Sequence, residues 1–223
     1  MRSTHFITTT TRFCLSVIFA WSFFSFAGQD GLVSALPKPQ LDKGRPMMQV
    51  LKDRKSSRAY DSSRPLPQQE LSNLLWAAFG VNRPEKGGRT APSAMDMQEI
   101  DVYAALADGL YFYEAKSHSL RKIHGKDIRE VTGKQPWVKD APLDVILVAD
   151  YSRVKKTMDD AQKKMYAAAD AAFISQNMYF YCASEGLATV VRGSIDKPAL
   201  AEAMQLKPEQ EIIFAQTVGY PKK

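Results

Sequence analysis

The chain contains 223 residues, 45% of them hydrophobic, and its formal net charge is +6. This length and composition suit one domain with a full core, or two small domains, and the lack of internal repeats excludes a repeat protein. The mildly basic charge is compatible with an anionic small ligand. The sequence shows no basic helix face and no interleaving of aromatic with basic residues, so we expect no nucleic-acid binding.

The first 27 residues predict a secretory signal peptide. Their only charges are Arg2 and Arg12, and the second half is an apolar run without an acidic residue. The run ends in a small-x-small pattern at Ala27 and is too short for a comfortable transmembrane span. An uncleaved membrane anchor is the alternative, and a second possible cleavage site follows Ala35. We expect an exported, periplasmic protein without stable membrane insertion after cleavage.

Cleavage would leave Cys182 as the single cysteine, so no intramolecular disulfide could form even in an oxidising compartment. Cys182 lies among aromatic residues, and no histidine is near it in the sequence. We therefore expect a buried, inert thiol and not a nucleophile.

A linker and a helix begin the mature chain. Residues 28–45 are rich in glycine, proline and charge, and they predict a tail or linker before a domain over residues 46–223. Within that domain, Pro67 precedes a helix over residues 68–79, because leucines recur there at helical spacing. Gly80 is the expected end of this helix.

A basic cluster lies between the linker and this helix. It contains Arg54, Lys55 and Arg58 around Ser56. In an extended segment, Arg54 and Ser56, or Ser56 and Arg58, project to the same side. Guanidinium groups bind phosphate oxygens in a bidentate manner, so the cluster is a candidate phosphate receptor. The alternative is a solvated basic turn.

The loop over residues 81–93 contains two adjacent glycines and a proline, a composition typical of ligand-carrying loops. Polar residues alternate just after it. We expect Asp96 and Gln98 to lie on one side of an extended piece.

An Asp-Gly pair between the apolar runs 100–106 and 110–113 predicts a β-hairpin. His118 and His124 follow in a polar connection. Two histidines at this spacing, with no cysteine or carboxylate cluster nearby, make a poor metal site, so we expect both on the solvated surface.

The second half of the chain alternates strands and helices. The predicted elements are strands over residues 143–149, 187–191 and 212–218, a long helix from Lys155, and a helix over residues 197–204 capped by Asp196.

The long helix is apolar on nearly every side between Tyr166 and Ala183, and Asp170 is its only charge before Glu185. A surface helix would show a polar face, so we expect this one inside a larger structure. Gly186 is the expected helix end.

The order of elements predicts an α+β or α/β fold with a mixed sheet. No dinucleotide-binding glycine motif, phosphate-binding loop, nucleophile elbow or Cys/His metal spacing is present in the sequence. A chain without its own nucleophile, metal and acid–base pair either binds a ligand or uses the chemistry of a cofactor.

Four segments, in order, resemble the motifs of the flavin-dependent nitroreductase family. They are the R-x-S-x-R/K-x-F/Y opening at 54–60, the P-S-A segment at 92–94, the Q-N…A…G-L element at 176–187, and the V-G-Y-P segment at 218–221. The match extends from about Met47 to the end of the chain. It is closest to the branch that includes thiazole- and oxazoline-forming dehydrogenases.

The resemblance implies an α+β fold with a mixed, mostly antiparallel sheet flanked by helices. It also implies a homodimer built on the long central helix, with FMN at the dimer interface. Arg54, Lys55, Ser56 and Arg58 would bind the FMN phosphate and ribityl chain, with Lys222 or Lys223 completing that site. The implied flavin contacts are Pro92, Ser93 and Ala94 from the other subunit, Asp96 and Gln98 at the flavin edge, and Val190, Val191, Arg192 and Gly193 along its N5 side.

The implied activity is that of an FMN-dependent oxidoreductase that transfers hydride through flavin N5 to a small nitro, quinone or enone compound. NAD(P)H is the family's usual electron donor, whereas an exported member could use another protein or a quinone. The family often has asparagine where this chain has Asp96. A flavin-fold binding or partner protein with little turnover is therefore the alternative. No catalytic side chain and no metal ligand is identified.

Overall fold

The computed structural model describes Met1 and residues 31–222; apart from Met1, the predicted signal peptide lies outside the described residues. The strands are Val33–Ala35 (β1), Val81–Arg83 (β2), Gly88–Arg89 (β3), Ile100–Leu106 (β4), Gly109–Glu114 (β5), Ser119–His124 (β6), Leu143–Asp150 (β7), Ala188–Arg192 (β8) and Gln210–Gly219 (β9). The α-helices are Met47–Asp53 (α1), Gln68–Phe79 (α2), Asp160–Glu185 (α3) and Lys197–Met204 (α4).

Seven strands form one sheet in the order β1-β6-β5-β4-β7-β9-β8, and β2 pairs with β3 in a separate small ribbon. The predicted hairpin is confirmed, because β4 and β5 pair in antiparallel fashion across the Asp-Gly turn. The α+β prediction is also confirmed. Within the described residues every pairing of the large sheet is antiparallel, so the expected mixed component is not found there.

Helices cover both faces of the sheet. The side chains of β7 alternate between the two cores that these helices form with the sheet. Val145 and Leu147 belong to the core under α2 and α3, whereas Ile146 and Val148 belong to the core under α4. Successive side chains of a strand point to opposite faces, so a strand buried on both sides is apolar throughout. This explains the continuous apolar run of β7.

The long helix α3 buries one face and leaves another uncovered. Its buried side includes Ile174, Met178 and Cys182, which pack against the sheet and α2. Cys182 is fully buried, as predicted, and burial raises the pKa of its thiol. Side chains on the other face are exposed or half-buried although most are apolar: Met165, Ala169, Ala172, Phe173, Gln176 and Phe180.

The ends of α3 and α4 follow local signals. Asp159 caps α3 by accepting from Gln162 N, so the helix begins at Asp160 and not at Lys155 as predicted. Gly186 ends α3 with φ of 71°, a left-handed conformation that glycine adopts without steric cost. Asp196 caps α4, as predicted.

The segment predicted as a tail or linker contributes an edge strand, because β1 pairs with β6. The same segment covers His118, whose Nε2 lies 2.7 Å from Ser72 Oγ and 3.0 Å from Pro37 O. Its Nδ1 lies 2.9 Å from Tyr113 Oη. The prediction of a solvated His118 is therefore wrong, and its partial burial lowers the pKa of the imidazole. No helix in residues 31–222 is long and apolar enough to cross a membrane.

Candidate functional site

The basic segment 54–60 lies beside β8 and the end of the described chain. Ser57 N donates to Thr189 O at 2.9 Å, and Lys222 N donates to Ala59 O at 3.2 Å. These backbone hydrogen bonds join the first segment of the family resemblance to β8 and to the residue that follows the last segment. The fold therefore places the predicted phosphate residues next to the predicted flavin strand.

Tyr179 of α3 is the centre of this arrangement, and the sequence did not indicate it. Its hydroxyl lies 2.9 Å from Ser56 Oγ and accepts from Val191 N at 3.1 Å. The guanidinium of Arg54 lies over its ring, 5.4 Å from the centroid. A single side chain thus fixes the basic segment against β8.

Four of the predicted phosphate ligands are cationic side chains. Within the described residues, Arg54, Lys55, Arg58 and Lys222 form no ion pair, whereas other arginines, such as Arg121 and Arg192, do. Unpaired cations beside a serine hydroxyl are suited to bind an anion. Residues 31–222 contain no group of three or more His, Cys, Asp and Glu side chains that could hold a metal ion.

The structure divides these donors into two sets. Lys55 and Lys222 line a cavity of about 640 Å³ together with Ser57 and Tyr179. Arg54, Ser56 and Arg58 are not among its walls, as expected when alternate residues of an extended segment point in opposite directions.

The segment Pro92–Gln98 lies away from this group, at a different level of α3. Ala94 N donates to Asp170 Oδ2 at 2.8 Å. Asp170 and Tyr179 are nine positions apart on one helix, which corresponds to about 14 Å along its axis. Within one chain, the two sets of predicted flavin contacts are therefore separated by roughly the length of a flavin ring system or more.

Residues 93–98 form a strained turn and not the extended piece that we predicted. Met95, Asp96 and Gln98 have φ of 51°, 54° and 49°, values that cost free energy for residues with a Cβ. Ser93 Oγ closes the turn by accepting from Gln98 N at 2.8 Å. Such strain is concentrated at functional sites and persists only where surrounding contacts enforce it.

The side chains of Asp96 and Gln98 form hydrogen bonds within this turn and to the loop before it. Gln98 Nε2 donates to Asp96 Oδ1 at 2.8 Å and to Gly87 O at 3.2 Å. Gln98 Oε1 accepts from Arg89 Nε at 2.8 Å. Gln98 therefore stabilises the turn, and the exposed Asp96 carboxylate has an amide partner.

Arg192 turns its side chain away from the basic segment into the core. Its Nη2 lies 2.7 Å from Asp144 Oδ1, and its Nη1 donates to Thr132 O at 2.7 Å. A Cβ at Gly133 would collide with this guanidinium, so the glycine makes room for it. Only the backbone of Arg192 remains available to a ligand. Gly193 is exposed, with open space on the side where a Cβ would lie.

Asp144 is completely buried beneath Arg192. Desolvation is the largest influence on this carboxyl and raises its pKa to about 6, while Arg192 and Thr217 favour the ionised form. The guanidinium of Arg192 therefore stabilises the ionised form of Asp144. This ion pair joins β7 to β8 across β9 and holds Val190 and Val191 in place.

Comparison with known proteins identifies the fold. The model of the nitroreductase family matches residues 51–220. A Methanocaldococcus jannaschii protein assigned as a nitroreductase is 32% identical over 168 residues, covering 71% of this chain and 83% of that protein. The FMN reductase [NAD(P)H] of Bacillus subtilis is 23% identical over 188 residues, covering 78% of this chain and 66% of that protein.

A solved structure from Ralstonia eutropha JMP134, also assigned as a nitroreductase, superimposes with a TM-score of 0.82 at 44% identity. The match covers 88% of this chain and 92% of that chain. The predicted family is confirmed, and with it the enzyme class and the flavin cofactor at the level of the family. The narrower assignment to the branch of thiazole- and oxazoline-forming dehydrogenases stays a prediction.

We predict that Arg192→Ala lowers the free energy of unfolding by about 3–5 kcal/mol, because it leaves the Asp144 carboxylate buried without a cation. Urea unfolding followed by circular dichroism measures the change. Arg121→Ala is the matched control, since its ion pair with Glu114 is partly exposed and contributes at most about 1 kcal/mol. Equal decreases in the free energy of unfolding of the two variants would contradict a stabilising role for the Arg192–Asp144 ion pair.

Proposed function

Because the chain belongs to the nitroreductase family, we propose that it is an FMN-dependent oxidoreductase acting on a small organic substrate such as a nitro, quinone or enone compound. When bound, FMN supplies two-electron hydride chemistry. The family match and the Bacillus subtilis relative named FMN reductase [NAD(P)H] support the cofactor and NAD(P)H as a donor.

The observation that carries this proposal is the set of unpaired donors around Tyr179. Arg54 and Arg58 would bind the FMN phosphate, and Ser56 would donate its hydroxyl beside them. Tyr179 orients Ser56 and holds Val191, so the phosphate residues and β8 keep a fixed separation. The donor chemistry therefore fits the phosphate end of the cofactor.

The arrangement of α3 supports a site shared between two copies of the chain. One set of predicted flavin contacts lies near Tyr179 and the other near Asp170, about 14 Å apart along α3. The apolar face of α3 that carries Phe173 is uncovered in the single chain. We propose that two copies pair through this face and that residues 92–98 of one complete the site of the other.

We also propose export, from the composition of the first 27 residues. Cleavage after Ala35 would remove β1, which pairs with β6, so we place the cut after Ala27. Sequencing of the mature N-terminus from periplasmic extract should begin at Gly28. A start at Leu36, or recovery of the uncleaved chain, would contradict this. In that compartment a protein or a quinone could replace NAD(P)H.

The test of the proposed activity is spectroscopic. Protein purified with FMN should show flavin absorbance bands, and anaerobic addition of NADPH or NADH should bleach them. The phosphate residues can be tested in the same titration. Arg54→Ala should weaken FMN binding about tenfold or more, because it removes a charged hydrogen-bond donor.

Arg121→Ala controls for loss of positive charge in this titration. It lies on β6, five strand pairings from β8, or about 24 Å across the sheet. Colourless protein that gains no flavin band would refute the activity. Equal weakening by the two substitutions would refute the phosphate assignment alone.

We predict that the wild type is a dimer and that Phe173→Glu makes it monomeric, because Phe173 is 48% exposed on the apolar face of α3. Light scattering after size exclusion measures the mass. Val131→Glu is the control, since Val131 is 40% exposed but lies outside α3. A monomeric wild type, or a dimeric Phe173→Glu variant, would contradict the shared site.

A further inference from the structure

Asp170 is a buried acid on an otherwise apolar stretch of α3. Its side chain is almost inaccessible to solvent, and within residues 31–222 it forms no ion pair. Its Oδ2 accepts from the backbone N–H of Ala94 at 2.8 Å. Ala94 belongs to the strained turn over residues 93–98. A buried carboxylate is costly, so this contact needs a further partner to sustain it.

Glu99 is that partner. It follows the turn directly and is fully buried, and its carboxyl group lies close enough to that of Asp170 for the two to interact. Ser93 Oγ donates weakly to Glu99 Oε2 at 3.4 Å, while Glu99 Oε1 has no protein donor. Two carboxylates cannot hydrogen-bond to one another unless one of them holds a proton. A proton on the carboxyl group of Glu99, donated to Asp170, would satisfy both groups.

We propose that Glu99 and Asp170 share one proton and that this carboxyl pair positions the strained turn over residues 93–98 for contact with the flavin. Glu99 is the acid, and Asp170 is the carboxylate that holds Ala94 N. The pair touches the turn and not the reacting atoms, so both are positioning residues. The functional part of this inference rests on the proposed function.

Neighbouring groups do not supply a cation to the pair. Arg153 of the turn after β7 donates to the backbone carbonyl of Glu99 and to the Asp101 carboxylate, both at 2.7 Å. Tyr151 also lies near enough to sense the charge of Glu99, and its hydroxyl donates to Glu211 at 3.0 Å. No guanidinium or ammonium group in residues 31–222 is hydrogen-bonded to either carboxyl. A shared proton would therefore neutralise this pair, whereas a cation neutralises Asp144.

Burial, with the charge of Asp170 as a smaller contribution, raises the pKa of Glu99 above its ordinary value. A carboxyl whose pKa is higher in the folded state stabilises the fold below its ordinary pKa. That stability is lost as the pH rises through the folded value. Deprotonation then brings two buried charges together beneath Ala94. We expect the turn to loosen, and FMN binding to weaken, as the pH rises through the folded pKa of Glu99.

The decisive variant is Glu99→Gln, which keeps a donor toward Asp170 but cannot titrate. FMN dissociation constants are measured by fluorescence quenching from about pH 4, near the ordinary pKa of a glutamate, to about pH 9. The proteins compared are the wild type, Glu99→Gln and the control Glu130→Gln, whose carboxylate is exposed. Relative to Glu99→Gln, the wild type and the control should bind FMN more weakly as the pH rises. The loss is about tenfold for each unit by which the pKa of Glu99 is higher in the FMN-bound protein than in the free protein. Titration of the FMN phosphate is common to all three and cancels in the ratios.

Urea midpoints of the three cofactor-free proteins over the same pH range separate this inference from the proposed function. As the pH rises, the urea midpoint of the wild type should decrease relative to that of Glu99→Gln. Parallel midpoints would overturn the shared proton. Diverging midpoints with parallel FMN affinities would overturn the positioning role. If the wild type binds no FMN at any pH, the proposed activity and the positioning role both fail, while the midpoints still decide the shared proton.

Discussion

The packing of α3 against the sheet and α2 is the contact on which the candidate site depends. Its buried face is apolar except where a polar group has a specific partner, and two of these polar groups hold the two halves of the site. Tyr179 fixes the basic segment and β8, and Asp170 fixes the turn over residues 93–98. The spacing of the two halves is therefore set by the rise of one rigid helix.

Buried carboxyl groups occur in two different settings near this site. Asp144 accepts hydrogen bonds from the guanidinium of Arg192 and from the hydroxyl of Thr217, and through Arg192 it holds β8. Among residues 31–222, the groups that contact the carboxyls of Glu99 and Asp170 are each other, a serine hydroxyl and a backbone N–H. An unpaired buried charge is costly, so the first pair is neutralised by a cation and the second by a proton.

Many elements could be predicted because their signals are local. The bounds of α2, the Asp-Gly hairpin, the cap at Asp196 and the end of α3 at Gly186 depend on residues within a few positions. The left-handed residues of the 93–98 turn could not be predicted, because none is glycine and the strain is held by distant contacts. His118 was misjudged for the same reason, since Pro37 and Ser72 lie far from it in the sequence.

The sequence by itself determined the family, the α+β class, the apolar nature of α3 and the residues of the basic segment, since motif order and hydrophobic periodicity are properties of the chain. Only the tertiary structure decided what each polar side chain does. Arg192 was a predicted flavin contact until Asp144, 48 positions away, drew its guanidinium into the core. Asp170 was a single charge without a role until the fold brought Ala94, 76 positions away, within 2.8 Å. A buried polar group takes the partner that lies nearest in space, and sequence separation does not reveal that distance.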